Sequence, residues 1–281
     1  MHPVAEIKTP CGYTIKGVSV AGIYTTLVIP ELKLGFDCGI ALREFAGIKH
    51  LFLSHAHGDH IGGLVALLGQ RDLMSMQPLN VYVPDAIVHD VREYVRVACV
   101  LMRSIREVDA IRILGLAPGD AINLGHGVSV HAFSTHHPVP SLGYQIRRVV
   151  SKLKPELVGI PGEEIGRRRK AGEAVTNDTE VNELSFITDT SRLVYSTMPS
   201  VLESRILIAE STYVCDKYDR MATQRHGHMH LLDTIEQNGT NELTVLTHFS
   251  QMYEVDEVKA AVASCGRDNV VPLVPEAATW W

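Results

Sequence analysis

Apolar and polar positions alternate at short range at the start of the chain. From Gly17 to Gly39 the runs VSVAGIYTTLVIP and LKLGFDCG are punctuated by Gly and Pro, which predicts an opening set of antiparallel strands. The same texture returns from Asp120 to Ile146. Between these regions IKHLFLS is short and apolar enough for a buried strand. It runs straight into HAHGDHIGG and then into the helical pattern LVALLGQRDLM. VYVP follows as a strand, and DAIVHDVREYVRVACVLMR as a helix started by Asp85 behind Pro84. The second half repeats the theme. LSFITDT, RLVYST and RILIAEST read as strands, HMHLLDTIEQNG as a short helix closed by Gly239, LTVLTHFS as a strand and VDEVKAAVASC as the helix behind it.

Two β-rich halves, each with its own helices, predict an α/β fold of the four-layer αββα sandwich type, with two sheets face to face and helices outside. Residues 1–281 read as a single domain. The stretch from Lys152 to Asp178 stands apart. It is polar, carries Arg167, Arg168, Arg169 and Lys170 in succession, and reads as a short arm inserted between strands.

Composition narrows the classes. With 46% hydrophobic and 21% charged residues, the chain has material for a sizeable core and no sign of wholesale disorder. No apolar run approaches the roughly 20 residues of a membrane helix. The opening MHPVAEIKTPCGY lacks the basic and apolar regions of a secretory signal, so neither membrane association nor secretion is expected. Five scattered cysteines without a CxxC pair argue against a disulfide framework and a zinc ribbon, and fit a reducing, cytoplasm-like compartment. A net charge of −6 means that any contact with a polyanion must be local. The 14 histidines make spacing the next question, because imidazole is the commonest metal ligand.

That spacing is informative at Ser54–Gly63. His55, His57, Asp59 and His60 fall within six residues at the end of a buried strand, where a Gly-rich turn can fold several side chains toward one point. Imidazoles with a carboxylate suit zinc, and such a cluster can hold two ions on the order of 3.5–4 Å apart.

HAHGDH resembles the HxHxDH signature of the metallo-β-lactamase superfamily, and further segments resemble the ribonuclease Z enzymes within it. They are THHPVPSLGY with His137, ITDT with Asp189 and LTHFSQMY with His248. The resemblance implies two zinc ions, with Mn²⁺ or Fe²⁺ as substitutes. His55, His57 and His137 would hold one ion, Asp59, His60 and His248 the other, and Asp189 with a water or hydroxide would be shared. It also implies that His228, in HGHMH, oriented by Glu210, in ILIAESTY, protonates the leaving ribose oxygen while Asp59 orients the nucleophile. The implied activity is hydrolytic removal of 3′ trailers from precursor tRNA, by an enzyme that in this family often forms homodimers. Hydrolysis of small phosphodiesters such as cyclic nucleotides, or of esters and thioesters, are the rival activities, and a non-catalytic relative is the last.

Several positions have competing readings. His136 and His137 point to opposite faces of a strand, and the one before the Pro-Val-Pro-Ser run is taken as the ligand. His228 is preferred over His226 and His230 through its Gly227 neighbour, while His2, His50, His89, His126 and His131 read as surface or satisfied core residues. Asp37 is either a carboxylate behind a ligand histidine or a turn former. Arg167 to Lys170 either grip RNA phosphates or form a solvated helix face. Two positions depart from the family pattern: Thr188 stands where Gly usually precedes the aspartate, and Met252 where Arg is usual in the final motif.

Overall fold

The computed structural model describes residues 4–103, 111–215, 220–276 and 279–280 of the chain, so His2 lies outside the described residues. The first sheet contains β1 (Ala5–Lys8), β2 (Thr14–Ala21), β3 (Tyr24–Ile29), β4 (Leu34–Phe36), β5 (His50–Phe52), β6 (Asn80–Pro84) and β7 (Arg112–Leu116), which lie side by side in chain order. The second sheet begins with β8 (Ala121–Gly125), β9 (Val128–Ser134), β10 (Leu142–Leu153) and β11 (Thr176–Ile187). It continues through β12 (Ile206–Glu210) and β13 (Leu243–Thr247). The short strand β14 (Phe249–Ser250) crosses back to pair with β2 of the first sheet, and β15 (Val270–Pro272) closes the second. In each sheet an antiparallel meander gives way to parallel strands joined by helices, as the change in sequence texture anticipates.

Parity along the strands builds the layers. Phe36, Phe52, Tyr144, Phe186, Ile206 and Ile208 belong to one buried cluster between the sheets. Phe36 and Phe186 stack across the gap, with ring centroids 4.5 Å apart. Their neighbours Leu51, Leu53, Leu207 and Ala209 face the other way, into the cluster that the helices cover. Helices α1 (Gly58–Ile61), α2 (Leu64–Leu73) and α3 (Val88–Leu101) follow the first sheet, with Leu64, Leu67, Val91 and Val95 buried. The helix α4 (Gly162–Lys170) sits on the arm, and α5 (Val194–Thr197), α6 (Arg220–Arg225), α7 (Leu231–Ile235) and α8 (Val255–Ala263) follow strands of the second sheet. The αββα sandwich is therefore the observed fold.

Three local expectations are corrected. RLVYST is not a strand: its core, Val194–Thr197, is the helical turn α5. The backbone leaves β11 at Asp189 with φ +40°, so no ladder partner is in reach, and the amides of Val194, Tyr195 and Ser196 bond locally to Ser191, Arg192 and Leu193. Asp85 opens a short 3₁₀ turn without capping it, and the α-helix proper starts at Val88. Gly239 does not close α7, which ends at Ile235; a Cβ there would press on Leu202 and Asn241, so the glycine serves close packing.

The arm is the outer end of a long two-stranded ribbon. β10 and β11 remain paired as far as Leu153 with Thr176, so Lys152 and Asn177 are still strand residues. Leu157 and Val175 are buried at the base of the arm, where the Lys154 amide donates to the Val175 carbonyl at 3.0 Å.

A candidate binuclear metal centre

The candidate site lies where strand ends of both sheets meet. β5 delivers Ser54 and His55, and the single turn of α1 turns Asp59 and His60 inward. The loop after β4 lies directly against it: Cys38 donates to the His60 carbonyl at 2.7 Å, and a Cβ on Gly39 would collide with the Asp59 carbonyl. Asp189 and His248 follow the ends of β11 and β13. Asp37, Asp189 and His248 all have positive φ, at 54°, 40° and 58°. Non-glycine residues in that region cost about 1–3 kcal/mol and persist where surrounding structure enforces them, commonly at functional sites.

Seven predicted ligands converge in two groups that share one carboxylate. His55 Nε2 lies 3.0 Å from His57 Nδ1, and His137 Nε2 lies 3.3 Å from the same atom. Opposite them, His60 Nε2 is 3.3 Å from His248 Nε2, and both are close to Asp59 Oδ2, at 3.5 and 3.4 Å. Asp189 stands between the groups. Its Oδ2 faces His55 and His137 at 3.5 and 3.9 Å, and its Oδ1 faces His60 and His248 at 3.4 and 3.1 Å. Tetrahedral zinc with bonds of about 2.0–2.1 Å to nitrogen needs donor atoms roughly 3.3 Å apart. The spacing of these donors fits that geometry, and five imidazoles with two carboxylates are a chemically suitable set.

The electrostatics point the same way. Burial favours the neutral acid at Asp59 and Asp189, but the rings of His248 and His60 outweigh it and hold both carboxylates well below their ordinary range. Burial opposes charge on His60, yet Asp189 and Asp37 raise its pKa well above the usual value. His55, buried and crowded by His60, is pushed down to about 2. The carboxylates thus create a point that favours positive charge, beside His55 and His137, whose burial favours the neutral imidazole.

An outer layer fixes four of the five rings, those of His55, His60, His137 and His248. Asp37, wholly buried, accepts from His60 Nδ1 at 2.8 Å and from the Ser54 amide and hydroxyl at 2.7 and 2.8 Å, so it takes the first of its two readings. Ser54 Oγ, donating to Asp37, receives His55 Nδ1–H at 3.0 Å. His137 Nδ1 donates to the Gly227 carbonyl at 3.2 Å, and His248 Nδ1 to Thr212 Oγ1 at 3.1 Å. These bonds place the proton on the nitrogen turned away from the cluster. Ser54 and Thr212 went unnoticed in the sequence. Their only signal is position, one residue before His55 and two after Glu210, and hydroxyls beside a motif are too common to single out.

Glu210 and His228 come together on the same side. Glu210 is wholly buried and accepts from the Thr190 amide at 2.6 Å, Thr212 Oγ1 at 2.5 Å and the Met229 amide at 3.1 Å, and its Oε1 lies 3.3 Å from His228 Nδ1. The His228 ring is 5.4 Å from His137 and 5.6 Å from His248, centre to centre. Burial lowers its pKa, but the charges of Glu210, Asp189 and Asp59 prevail and push it up to about 9.

The competing histidines lie elsewhere. His136 turns toward Thr197, 2.9 Å from its hydroxyl, His226 is exposed, and His230 caps α7. His50 meets Tyr82, His131 meets Ser129, and His89 and His126 are exposed. Arg167 and Arg168 are not brought to the cluster: they pair with Glu164 on their own helix, and Arg168 also with Glu173. Arg169 and Lys170 are exposed on the same arm. Met252 is 55% exposed, whereas Thr188 is buried and donates from Oγ1 to Asp189 Oδ1 at 3.0 Å.

The fold and this arrangement of donors define a metallo-β-lactamase-type hydrolase. Residues 31–249 match the beta-lactamase superfamily domain. The solved structure of the metallo-beta-lactamase fold protein YhfI from Bacillus subtilis superposes with a TM-score of 0.62 at 15% identity, covering 98% of this chain and 97% of that one. Human tRNase Z, short form, gives 0.59 at 19% identity, covering 99% and 97%. Among relatives by sequence, tRNase Z TRZ2, chloroplastic, of Arabidopsis thaliana is 32% identical over 94% of this chain and 75% of its own length. Arabidopsis tRNase Z TRZ1 is 31% identical over 90% and 91%. The chain belongs to the ribonuclease Z family of that superfamily.

Proposed function

We propose that the chain is a binuclear zinc endoribonuclease that removes 3′ trailers from precursor tRNA. The observation that carries this reading is the placement of Asp189, one oxygen toward each group of donors, with the His228–Glu210 pair on the same side. His55, His57 and His137 would hold one ion, and Asp59, His60 and His248 the other. Two bound divalent ions would acidify water and neutralise phosphate charge, with Mn²⁺ or Fe²⁺ able to replace zinc. Asp59, fixed by the Gly22 amide at 2.8 Å, orients the attacking water. As the phosphorus–oxygen bond to the ribose 3′-oxygen breaks, that oxygen takes a proton from Nε2 of His228, whose Nδ1 is paired with Glu210. The products are a tRNA ending in a 3′-hydroxyl and a trailer with a 5′-phosphate.

The pair His228 and Glu210 favours phosphodiester over thioester chemistry, because an alkoxide leaving group needs a proton that a thiolate can leave without. We read residues 1–281 as one hydrolase domain whose arm, through Arg169 and Lys170 more than through the paired Arg167 and Arg168, approaches RNA. A homodimer is supported by the apolar side chains that α2 and α3 and their ends leave exposed, among them Leu73, Met74, Val97, Val100, Leu101 and Met102. No helix among the described residues is long and apolar enough to cross a membrane. The five free cysteines fit a reducing, cytoplasm-like compartment.

The deciding experiment compares the zinc-loaded protein on a precursor tRNA with a 3′ trailer and on bis-p-nitrophenyl phosphate. Cleavage of both, with the tRNA cut after the discriminator base, is the expected result. Activity on the small diester alone would replace this reading with that of a small-molecule phosphodiesterase.

A further inference from the structure

The carboxylate shared between the two donor groups has unequal oxygens. Asp189 Oδ1 accepts a hydrogen bond from Thr188 Oγ1 at 3.0 Å, whereas Oδ2 faces the rings of His55 and His137 at 3.5 and 3.9 Å. Oδ1 is the oxygen that faces His60 and His248. The other carboxylate of that group is held in the same manner, since Asp59 Oδ2 takes the Gly22 amide at 2.8 Å. The rings of His60 and His248 are in turn fixed by Asp37 and Thr212. Every donor of the Asp59, His60, His248 group is therefore tied to the protein. In the other group Ser54 and Gly227 hold His55 and His137, but His57 is exposed and Asp189 Oδ2 faces only ring nitrogens of the group itself among the described residues.

Thr188 is well made for the task. It is buried to 1% exposure, and as a β-branched residue it has few χ1 states, so its hydroxyl is held on Oδ1 with little entropic cost at the moment of binding. Asp189 has a left-handed backbone, with φ +40°.

We propose that Thr188 is a positioning residue for the metal centre: its hydroxyl pins the plane of the Asp189 carboxylate so that Oδ1 is presented to the His60/His248 group and Oδ2 is left for the His55/His57/His137 group. The proposal rests on the metal-binding reading above and adds that loss of this one hydroxyl weakens one of the two ions selectively. Removing an outer partner of a ligand commonly costs about 10- to 100-fold in metal affinity.

The test uses the full chain as wild type, Thr188→Val and Thr188→Ser, stripped of metal and titrated with Zn²⁺ against a competing chelator, with Co²⁺ absorption as a second record of filling. Valine keeps the shape and removes the donor; serine keeps the donor and loses the methyl. The expected result is two Zn²⁺ per wild-type chain, one of them about 10- to 100-fold weaker in Thr188→Val, and both within a few-fold of wild type in Thr188→Ser. Circular dichroism serves as the control for folding. Equal affinities in wild type and Thr188→Val, or equal losses in the valine and serine variants, would overturn the role of Thr188 and leave the metal reading intact. A folded wild-type chain that takes up no metal would overturn both.

Discussion

The metal centre and the arm are both charged, yet they are built on opposite principles. In the centre, Asp37, His55, His60, Asp189, Glu210 and His248 are buried, and each meets a defined partner inside the protein. On the arm, Arg167 and Arg168 direct their charge to Glu164, and Arg168 also to Glu173, in solvent-exposed ion pairs that water and salt screen. Removing one side chain from the centre strands buried polar groups, whereas the arm loses only a screened interaction. The difference teaches where sequence changes should act on all chemistry, and where only on one kind of substrate.

The largest effect should come from His60→Ala or Asp189→Ala, which remove a donor shared with buried neighbours. Metal analysis should show loss of one or both ions, with turnover falling further than the roughly 10²–10⁴-fold that an acid–base residue supplies. A metal-depleted His60→Ala protein with full activity would sink the proposed mechanism. Next comes His228→Ala, which should keep both ions and lower kcat by about 10²–10⁴-fold. With its pKa raised to about 9, His228 stays protonated through neutral pH and loses its proton as pH rises through that value. The rate should therefore fall on the alkaline side in the wild type, and that limb should vanish in His228→Ala.

A smaller effect is expected of Asp37→Asn, which weakens the hold on His60 and should cost about 10- to 100-fold in metal affinity. Unchanged zinc retention against a chelator would count against its place behind the ligand. A smaller effect still, and one that isolates the arm, is expected of the double change Arg169→Ala with Lys170→Ala. Precursor tRNA cleavage should drop several-fold at moderate salt, with a salt dependence shallower by about one unit for each phosphate no longer gripped, while bis-p-nitrophenyl phosphate hydrolysis stays as in the wild type. Equal losses on both substrates would mean that the arm supports the fold and does not grip RNA. The paired change Arg167→Ala with Arg168→Ala should matter less, because those guanidinium groups are already engaged.

Much of this was legible in the chain. Alternation of apolar residues placed the strands and their two faces, since a side-chain period of two commits Phe52 inward and Leu51 outward once the strand forms. HAHGDH announced metal chemistry because imidazoles and a carboxylate packed that tightly have few other uses. RLVYST misled, since its apolar content suits a strand and only the turn at Asp189 denies it a neighbour.

What the sequence alone determined was the kind of fold, set by alternation along the strands, and the crowding of His55, His57, Asp59 and His60 into one motif; His137, Asp189 and His248 were pointed to by resemblance to the family. What only the tertiary structure decided was how segments far apart combine. It put Thr212 between Glu210 and His248, Ser54 between Asp37 and His55, and Thr188 on one oxygen of Asp189. It also gave each oxygen of Asp189 to a different group of histidines. A hydrogen bond depends on distance and direction over about 3 Å, and no pattern in a linear chain encodes which hydroxyl arrives there when the two sheets close.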